Sequence, residues 1–386
     1  MSAVAERVAA TNATAAAETL GRASTERRTV RVRGAGTKDY LGDLAPTDIV
    51  LETGALSGVV AHVPADLTVT VAAGTPLAEL QRALAQQGQT LPLDPPHGDR
   101  ATIGGIVAAN SSGFRRARYG GVRDLLIGTT TALADGSVAR AGGRVVKNVA
   151  GYDMNKLLVG SLGTLGVITE CTFKVLPMPA ATAGIRARFT RAADAFAAAD
   201  AIARTPARAA ALVVEGSDTW QLLVVAEGAA SAVERTMTIV ANAAEARGSA
   251  ERDPDIERGL APMRELPGTA DGILVRASLP PAAQTAFAEI AVRLEGFAQL
   301  VADAASGIAR VHVRGDDDDM VAAADALLAA ARVCGGSARV ERRPERLRQR
   351  VAAWGDGDLP GLFLMRRLKE AFDPNGILEP GRSPVR

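Results

Sequence analysis

Four segments in the first half of the chain combine closely spaced glycines with small or hydrogen-bonding residues. The first is Arg33-Gly34-Ala35-Gly36-Thr37-Lys38. The second follows Asp94-Pro95-Pro96 and runs Thr102-Ile103-Gly104-Gly105-Ile106-Val107-Ala108-Ala109-Asn110-Ser111-Ser112-Gly113. The third is Lys147-Asn148-Val149-Ala150-Gly151-Tyr152-Asp153, and the fourth Gly160-Ser161-Leu162-Gly163-Thr164-Leu165-Gly166-Val167-Ile168-Thr169. Backbone N–H groups reach a pyrophosphate only where side chains are small and tight turns aim successive amides at one point. Gly34 and Gly36 permit positive φ and suit such an anion nest. One cluster by itself is most often an ordinary turn; four together within 140 residues weaken that reading considerably. None has the spacing of a Rossmann fingerprint.

These loops need strands to hold them. From Thr29 to about Pro179 the runs TVRVRG, DIVLET, GVVAHV, LTVTVAAG, LLIGTTTALADG and LGVITECTFKVLP read as strands. PLAELQRALAQQG reads as a helix, with Pro76 in its first turn, a stripe of Leu77, Leu80, Ala83 and Leu84, and Gly88 as its stop. Along the last strand Val167, Thr169, Cys171, Phe173 and Val175 share a face, which makes Cys171 a buried free thiol. The second half alternates LVVEG, QLLVVAEG, DGILVRASL and ARVHVRG with Ala-rich helical stretches, the pattern of helices against an antiparallel sheet. A charged run ERRPERLRQR precedes the amphipathic LFLMRRLKEAF, whose stripe of Leu364, Leu368 and Phe372 calls for cover by the first domain. The expected organisation is α+β throughout: an arm at 1–28, a ligand-binding domain at 29–179, a cap with an antiparallel sheet at 180–345, and a segment at 346–386 that returns to the first domain.

Bulk properties narrow the function. At 386 residues two cores are expected. Lys plus Arg is 44 against 43 for Asp plus Glu, without the basic excess a nucleic-acid partner demands. Cys171 and Cys334 are too few for an iron–sulfur cluster or a disulfide framework. The first twenty residues lack a basic stretch followed by an apolar one, and no run reaches the ~20 apolar residues of a membrane span. The expectation is a cytoplasmic protein without a transmembrane segment, attached to a membrane, if at all, through partners.

RGAGT, DPP with ATIGGIVAANSSG, RYGGVRD and KNVAGYDMNKLLVGSLGTLGVITE resemble, in that order, the FAD-binding domain of the vanillyl-alcohol oxidase and p-cresol methylhydroxylase superfamily. The resemblance covers about residues 30 to 180. With the closing AFDPNGILEPGR the chain is most similar to the smaller flavin subunits of bacterial glycolate oxidases. The resemblance implies a two-lobed domain of the p-cresol methylhydroxylase type. Its cofactor set would be Arg33, Gly34, Ala35, Gly36, Thr37 and Lys38 at the pyrophosphate, and Pro95, Thr102, Ile103, Gly104, Gly105, Asn110, Ser111, Ser112, Gly113, Tyr119 and Gly120 on the flavin side. Gly163, Thr164, Gly166, Val167 and Ile168 would lie on the adenosine side. Lys147, Asn148 and Tyr152 would lie nearest the ring, with Lys147 and Tyr152 as candidate catalytic groups.

Some relatives bond flavin through histidine or cysteine, but His62, His97 and His312 lie outside the glycine loops, so a dissociable FAD is expected. His97 reads as a solvated loop residue and His312 as part of an exposed strand face; one histidine in the second half cannot rebuild the metal site of larger relatives. Asp316 to Asp319 read as a helix cap rather than a cation site. The implied activity is oxidation of glycolate or another 2-hydroxy acid to the 2-oxo acid, in a complex with a sister flavin subunit and an iron–sulfur subunit. The alternative is an autonomous FAD-dependent oxidase of a small hydroxylated substrate, drawing its base and carboxylate binder from Lys147, Tyr152, Arg366 or Arg367. Arg115, Arg116 and Arg118 suit either a solvated loop or the steering of an acidic partner.

Overall fold

The computed structural model describes residues 5–144, 152–355, 359 and 361–385. Contacts divide the chain into two units. Met1–Ser112, Gly120–Met178 and Asp358–Arg386 form the first, and Gly113–Tyr119 with Pro179–Gly357 form the second.

The first unit opens with β1 (Glu6–Ala9), α1 (Ala13–Glu26), β2 (Val30–Arg33) and β3 (Ile49–Glu52). The strands form a parallel sheet in the order β1-β3-β2. Asn12 caps α1 by accepting the Ala15 amide, and Ala16, Ala17, Leu20 and Ala23 pack in one core with Val30, Ile49 and Leu51. Within the stretch set apart as an arm, α1 buries its alanine stripe in this core of the first unit.

A second sheet of this unit is built from β4 (Val59–Val63), β5 (Thr68–Ala72), β7 (Leu126–Ala132), β8 (Val138–Gly142) and β9 (Val167–Lys174), antiparallel in the order β4-β5-β9-β7-β8. Between and beside these strands lie α2 (Leu77–Ala85), β6 (Gln89–Thr90), α3 (Ile103–Ala109), α5 (Val122–Leu125), α6 (Asn155–Leu158) and β10 (Leu176–Pro177). The turn α4 (Arg116–Tyr119) falls in the stretch assigned to the second unit. Pro76 starts α2, and Leu77, Leu80 and Leu84 face the core with Cys171 and Phe173 of β9. Cys171 is fully buried, and burial pushes its thiol far above the usual range.

The second unit carries a sheet of eight described strands. In chain order they are β11 (Ala181–Phe189), β12 (Ala209–Gly216), β13 (Trp220–Gly228), β14 (Ser249–Arg252), β15 (Ile273–Ser278), β16 (Phe297–Asp303), β17 (Ile308–Val313) and β18 (Ser337–Arg342). Their spatial order is β14-β11-β13-β12-β16-β17-β15-β18, and every pairing is antiparallel. The helices α7 (Ala192–Ala203), α8 (Ala230–Glu245), α10 (Gln284–Ala291) and α11 (Asp317–Val333) contribute to one core, and α9 (Ile256–Thr269) to another that includes Leu223, Val225 and Phe114. Asp316 caps α11 by accepting the amides of Asp318 and Asp319.

Because both faces of this sheet are covered, the exposed strand face expected for His312 is absent: the residue is 2% exposed. The Gly272 amide donates to its Nε2 at 3.3 Å. Burial, then Arg314, lowers the imidazole pKa below 6.5, with Asp271 opposing. The native state therefore favours neutral His312, and its contribution to stability is complete above pH 6.5 and lost as pH falls through the depressed native value. Stability between pH 7 and 5 should decline more steeply in the wild type than in His312→Gln, by up to about 1.4 kcal/mol per pH unit. Denaturant midpoints read across that range test this, and parallel profiles would remove His312 from the acid limb.

The last segment, α12 (Leu362–Phe372) and the chain after it, belongs to the first unit. Leu368 and Phe372 are half-buried, but Leu364 is 51% exposed, so the expected apolar stripe is covered only at its C-terminal end. Polar anchors hold this segment instead. The buried ammonium of Lys369 donates to Thr164 O at 3.0 Å, Leu378 O at 2.9 Å and Asp373 Oδ2 at 2.5 Å. Val30 and residues 377 and 379 then exchange backbone hydrogen bonds alongside β2.

Candidate functional site

A cleft in the first unit is lined by residues 32–39, Thr53, Thr102, Gly104, Gly105, Ala108, Ala109, Leu162, Gly163, Gly166, Ile168, Glu379 and Arg382. It encloses about 660 Å³ of space, part of it open to solvent.

The loop leaving β2 forms one wall. The backbone amides of Gly34, Ala35, Gly36 and Thr37 donate to no acceptor among the described residues. Successive N–H groups without a protein acceptor, on half-buried to exposed residues that line a cleft, can receive an anion in place of water. Gly36 takes φ +71°, and a Cβ on Gly34 would stand 2.4 Å from Thr102 Oγ1. The loop therefore lies against the start of α3.

Two glycines of α3 have different reasons to be there. A Cβ on Gly104 would meet Ala73 Cβ at 2.8 Å, so Gly104 lets α3 pack on the end of β5. A Cβ on Gly105 would meet only Thr102 Oγ1, at 3.1 Å, and otherwise points into open space. Its amide, in the first turn of α3, also lacks an acceptor among the described residues. Packing explains Gly104; close approach of a ligand explains Gly105. Gly163 has φ +81° and lies against Glu379 Cγ, 3.3 Å from where a Cβ would sit, with Val32 Cβ at 3.7 Å.

Charges in the cleft are tied down. Lys38 Nζ donates to Pro96 O at 2.8 Å, and Arg382 Nη2 donates to Lys38 O at 2.7 Å. Glu379, at φ +47°, accepts the Val32 amide at 2.8 Å and lies 3.4 Å from Arg382 Nη1. Burial raises the Glu379 carboxyl, opposed by Arg382 and the Val32 amide. Arg382 Nε is buried without a partner among the described residues.

Of the residues singled out in the sequence, Arg33, Gly34, Ala35, Gly36, Thr37, Lys38, Thr102, Gly104, Gly105, Gly163, Gly166 and Ile168 line this cleft. Pro95, Ile103, Asn110, Ser111, Ser112, Thr164, Val167 and Gly120 do not. Ile103 and Val167 point into cores. Asn110 ends α3 in the left-handed conformation and turns the chain away. Ser112 Oγ accepts the Val122 amide, and Thr164 Oγ1 donates to Ser161 O. Gly120 takes φ +83°, which lets the chain pass Asp124.

Gly113 and Tyr119 belong to the second unit, where Tyr119 OH donates to Glu227 Oε2 at 2.8 Å. Burial, then Glu227, pushes that phenol up to about 12. Arg115 pairs with Glu227 at 2.6 Å and Glu257 at 2.5 Å, so it serves as a brace within the second unit rather than a solvated loop residue. His97 is half-buried at φ +57° and does not line the cleft. Tyr152 is 94% exposed and does not line it either; Lys147 and Asn148 lie outside the described residues.

Sequence reasoning missed Thr53, Ala108, Ala109, Leu162, Glu379 and Arg382. The last two arrive from the far end of the chain, and the only local sign was the closing ILEPGR. No group of three or more His, Cys, Asp or Glu among the described residues is arranged to hold a metal ion. No helix among them is long and apolar enough to cross a membrane.

Comparison with known proteins agrees with this geometry. Residues 5–142 match the family described as FAD binding domain. The chain is 42% identical over 170 residues to glycolate oxidase subunit GlcE of Escherichia coli (strain K12), covering 44% of this chain and 48% of that protein. It is 40% identical over 149 residues to glycolate oxidase subunit GlcD of Bacillus subtilis (strain 168), covering 38% and 32%. The aligned region thus spans half or less of these curated relatives. Among solved structures, p-cresol methylhydroxylase with substrate bound superposes with a TM-score of 0.74 at 17% identity, over 98% of this chain and 88% of that one.

Proposed function

We propose that the chain is the FAD-carrying subunit of a glycolate oxidase complex, with residues 5–142, which match the FAD binding domain family, holding the cofactor. The observation that carries this reading is the run of uncommitted amides at residues 34–37, with Gly105 and Gly163 lining the same cleft. These groups suit a dinucleotide's pyrophosphate, and the cleft residues present fit FAD.

In this reading residues 34–38 hold the pyrophosphate through their amides, and Gly105 gives room for the approach. Gly163, Gly166 and Ile168 lie along the adenosine side. Glu379 fixes the end of β2 through the Val32 amide, and Arg382 fixes the loop through Lys38 O. No histidine or cysteine lines the cleft among the described residues, which supports a dissociable cofactor. Bound FAD supplies acceptance of two electrons from a 2-hydroxy acid. The likeness to two glycolate oxidase subunits supports glycolate as the acid and a sister flavin subunit as partner. With only two cysteines in the chain, both free, an iron–sulfur centre taking the electrons resides in another subunit.

The test uses the purified chain: a visible spectrum, acid precipitation, then anaerobic glycolate. A yellow protein that releases FAD on precipitation and is not bleached by glycolate supports the subunit reading. Bleaching by the isolated chain favours an autonomous enzyme, and a colourless protein that refuses added FAD overturns both.

A further inference from the structure

The cleft of the first unit holds a buried carboxyl together with its run of uncommitted amides. Glu379 lines the cleft and is 4% exposed. Two features of the backbone serve to place that side chain. Glu379 itself stands at φ +47°, a conformation that glycine adopts readily and glutamate does not. Gly163 lacks the Cβ that would press on Glu379 Cγ at 3.3 Å. Of the two carboxylate oxygens, Oε1 accepts the Val32 amide at 2.8 Å, and Oε2 lies 3.4 Å from Arg382 Nη1.

Val32 precedes the first of the uncommitted amides, that of Gly34, by two residues. Two residues of extended strand span roughly 7 Å, so an anion received by residues 34–37 would come close to the Glu379 carboxylate. The tie to Val32 explains the length of this side chain but not its charge, because the side-chain oxygen of a glutamine would accept the same bond. A carboxylate opposes the anion that the amides invite.

Among the described residues, the cations that line the cleft are Arg33, Lys38 and Arg382, and the carboxyls are Asp39 and Glu379. A pyrophosphate with two negative charges turns this surplus of one positive charge into a deficit of one. One proton on a carboxyl restores the balance. Asp39 lies 3.4 Å from Arg33 and keeps 37% of its side chain in water. Glu379 is enclosed, and burial already raises its carboxyl against Arg382, the Val32 amide and Arg31. The other charged groups nearby are engaged elsewhere. Lys369 and Asp373, earlier in the returning segment, pair with each other at 2.5 Å. His97 follows Pro96, whose carbonyl receives Lys38 Nζ, but does not line the cleft.

We propose that FAD binding is coupled to the uptake of one proton by Glu379, so that the loaded cleft holds this side chain as a neutral carboxylic acid. The proton comes from solvent and forms an O–H bond at Oε2, while Oε1 keeps the Val32 amide. The proposal rests on the reading of the cleft as an FAD site. Coupling of this sign weakens FAD binding as pH rises through the interval between the Glu379 pKa of the empty cleft and that of the loaded one.

The experiment titrates FAD into the stripped full chain from about pH 5.5 to 8.5, followed by flavin fluorescence. Calorimetry in two buffers of different ionisation enthalpy counts the protons. Wild-type affinity should fall at least about tenfold across that range, with up to about one proton taken up per FAD. Glu379→Gln, which keeps the Val32 bond and cannot ionise, should flatten the profile and take up no proton. At the alkaline end it should bind FAD at least about tenfold more tightly than the wild type. Asp39→Asn and His97→Asn should both keep the wild-type slope. Parallel profiles in wild type and Glu379→Gln overturn the proposal, and so does a profile flattened by Asp39→Asn or His97→Asn. The wild-type proton count needs no variant to fold: FAD bound without proton uptake at any pH overturns this proposal and leaves the FAD reading standing. FAD bound at no pH by any of these proteins overturns both.

Discussion

Gly105→Leu is expected to give a protein that folds at least as well as the wild type and purifies without flavin. Leucine replaces glycine inside α3, which favours the helix by about 1 kcal/mol. The only atom a Cβ would press is Thr102 Oγ1, at 3.1 Å, and the rest of the new side chain enters the cleft. The chain itself pays little, whereas a dinucleotide loses its place beside residues 34–37. FAD affinity should fall at least about a hundredfold, or about 2.8 kcal/mol, measured by flavin fluorescence on titration into the stripped protein. Gly54→Ala is the control: it neighbours the cleft residue Thr53, but its Cβ would meet nothing within 4 Å, and its flavin content should match the wild type. Normal flavin binding by Gly105→Leu would place the cofactor elsewhere.

Lys369→Met should be the most damaging single change outside the cores, costing about 3–5 kcal/mol. It removes the cation from Asp373, whose side chain is fully buried, and orphans the carbonyls of Thr164 and Leu378. Thr164 follows the cleft glycine Gly163, and Leu378 precedes Glu379, so flavin content should fall with stability. The Asp373 carboxylate also accepts the amides of Ile377 and Leu378, and it therefore organises the turn that brings residues 377–382 back to β2. A double-mutant cycle reads this directly. Asp373→Asn should cost less in the Lys369→Met background than alone, and strict additivity would show that the pair does not act as a unit.

The glycine-dependent part of the site was legible because glycine is informative by what it lacks. Gly34, Gly36, Gly105 and Gly163 all line the cleft, and their clustering was visible in the sequence, while the role given to each came from the family resemblance. Asn110, Ser111 and Ser112 do not line the cleft: α3 is short and ends in a left-handed cap at Asn110. Nothing local in the sequence announces that residues 113–119 are tied to the second unit through Glu227 and Glu257.

In the second unit β12, β13, β15 and β17 were found from their apolar runs, and β11, β14, β16 and β18 were not; β18 shows why. Its alternation of Arg339 and Glu341 with Val340 reads as surface, yet these charges are partly or wholly buried beside Arg310 and Arg276. His312 failed for the same reason. Alternation assigns a residue to a face but cannot say whether that face meets water, and here both faces are covered.

The return of residues 377–382 to β2 sets an order for biogenesis. The ribosome completes residues 179–357, the bulk of the second unit, before it makes the stretch carrying Glu379 and Arg382. The second unit can consequently mature while the first still lacks one edge of its cleft. On the function proposed, cofactor loading becomes a late event, since a polypeptide interrupted before that stretch lacks Glu379 and Arg382 of the cleft.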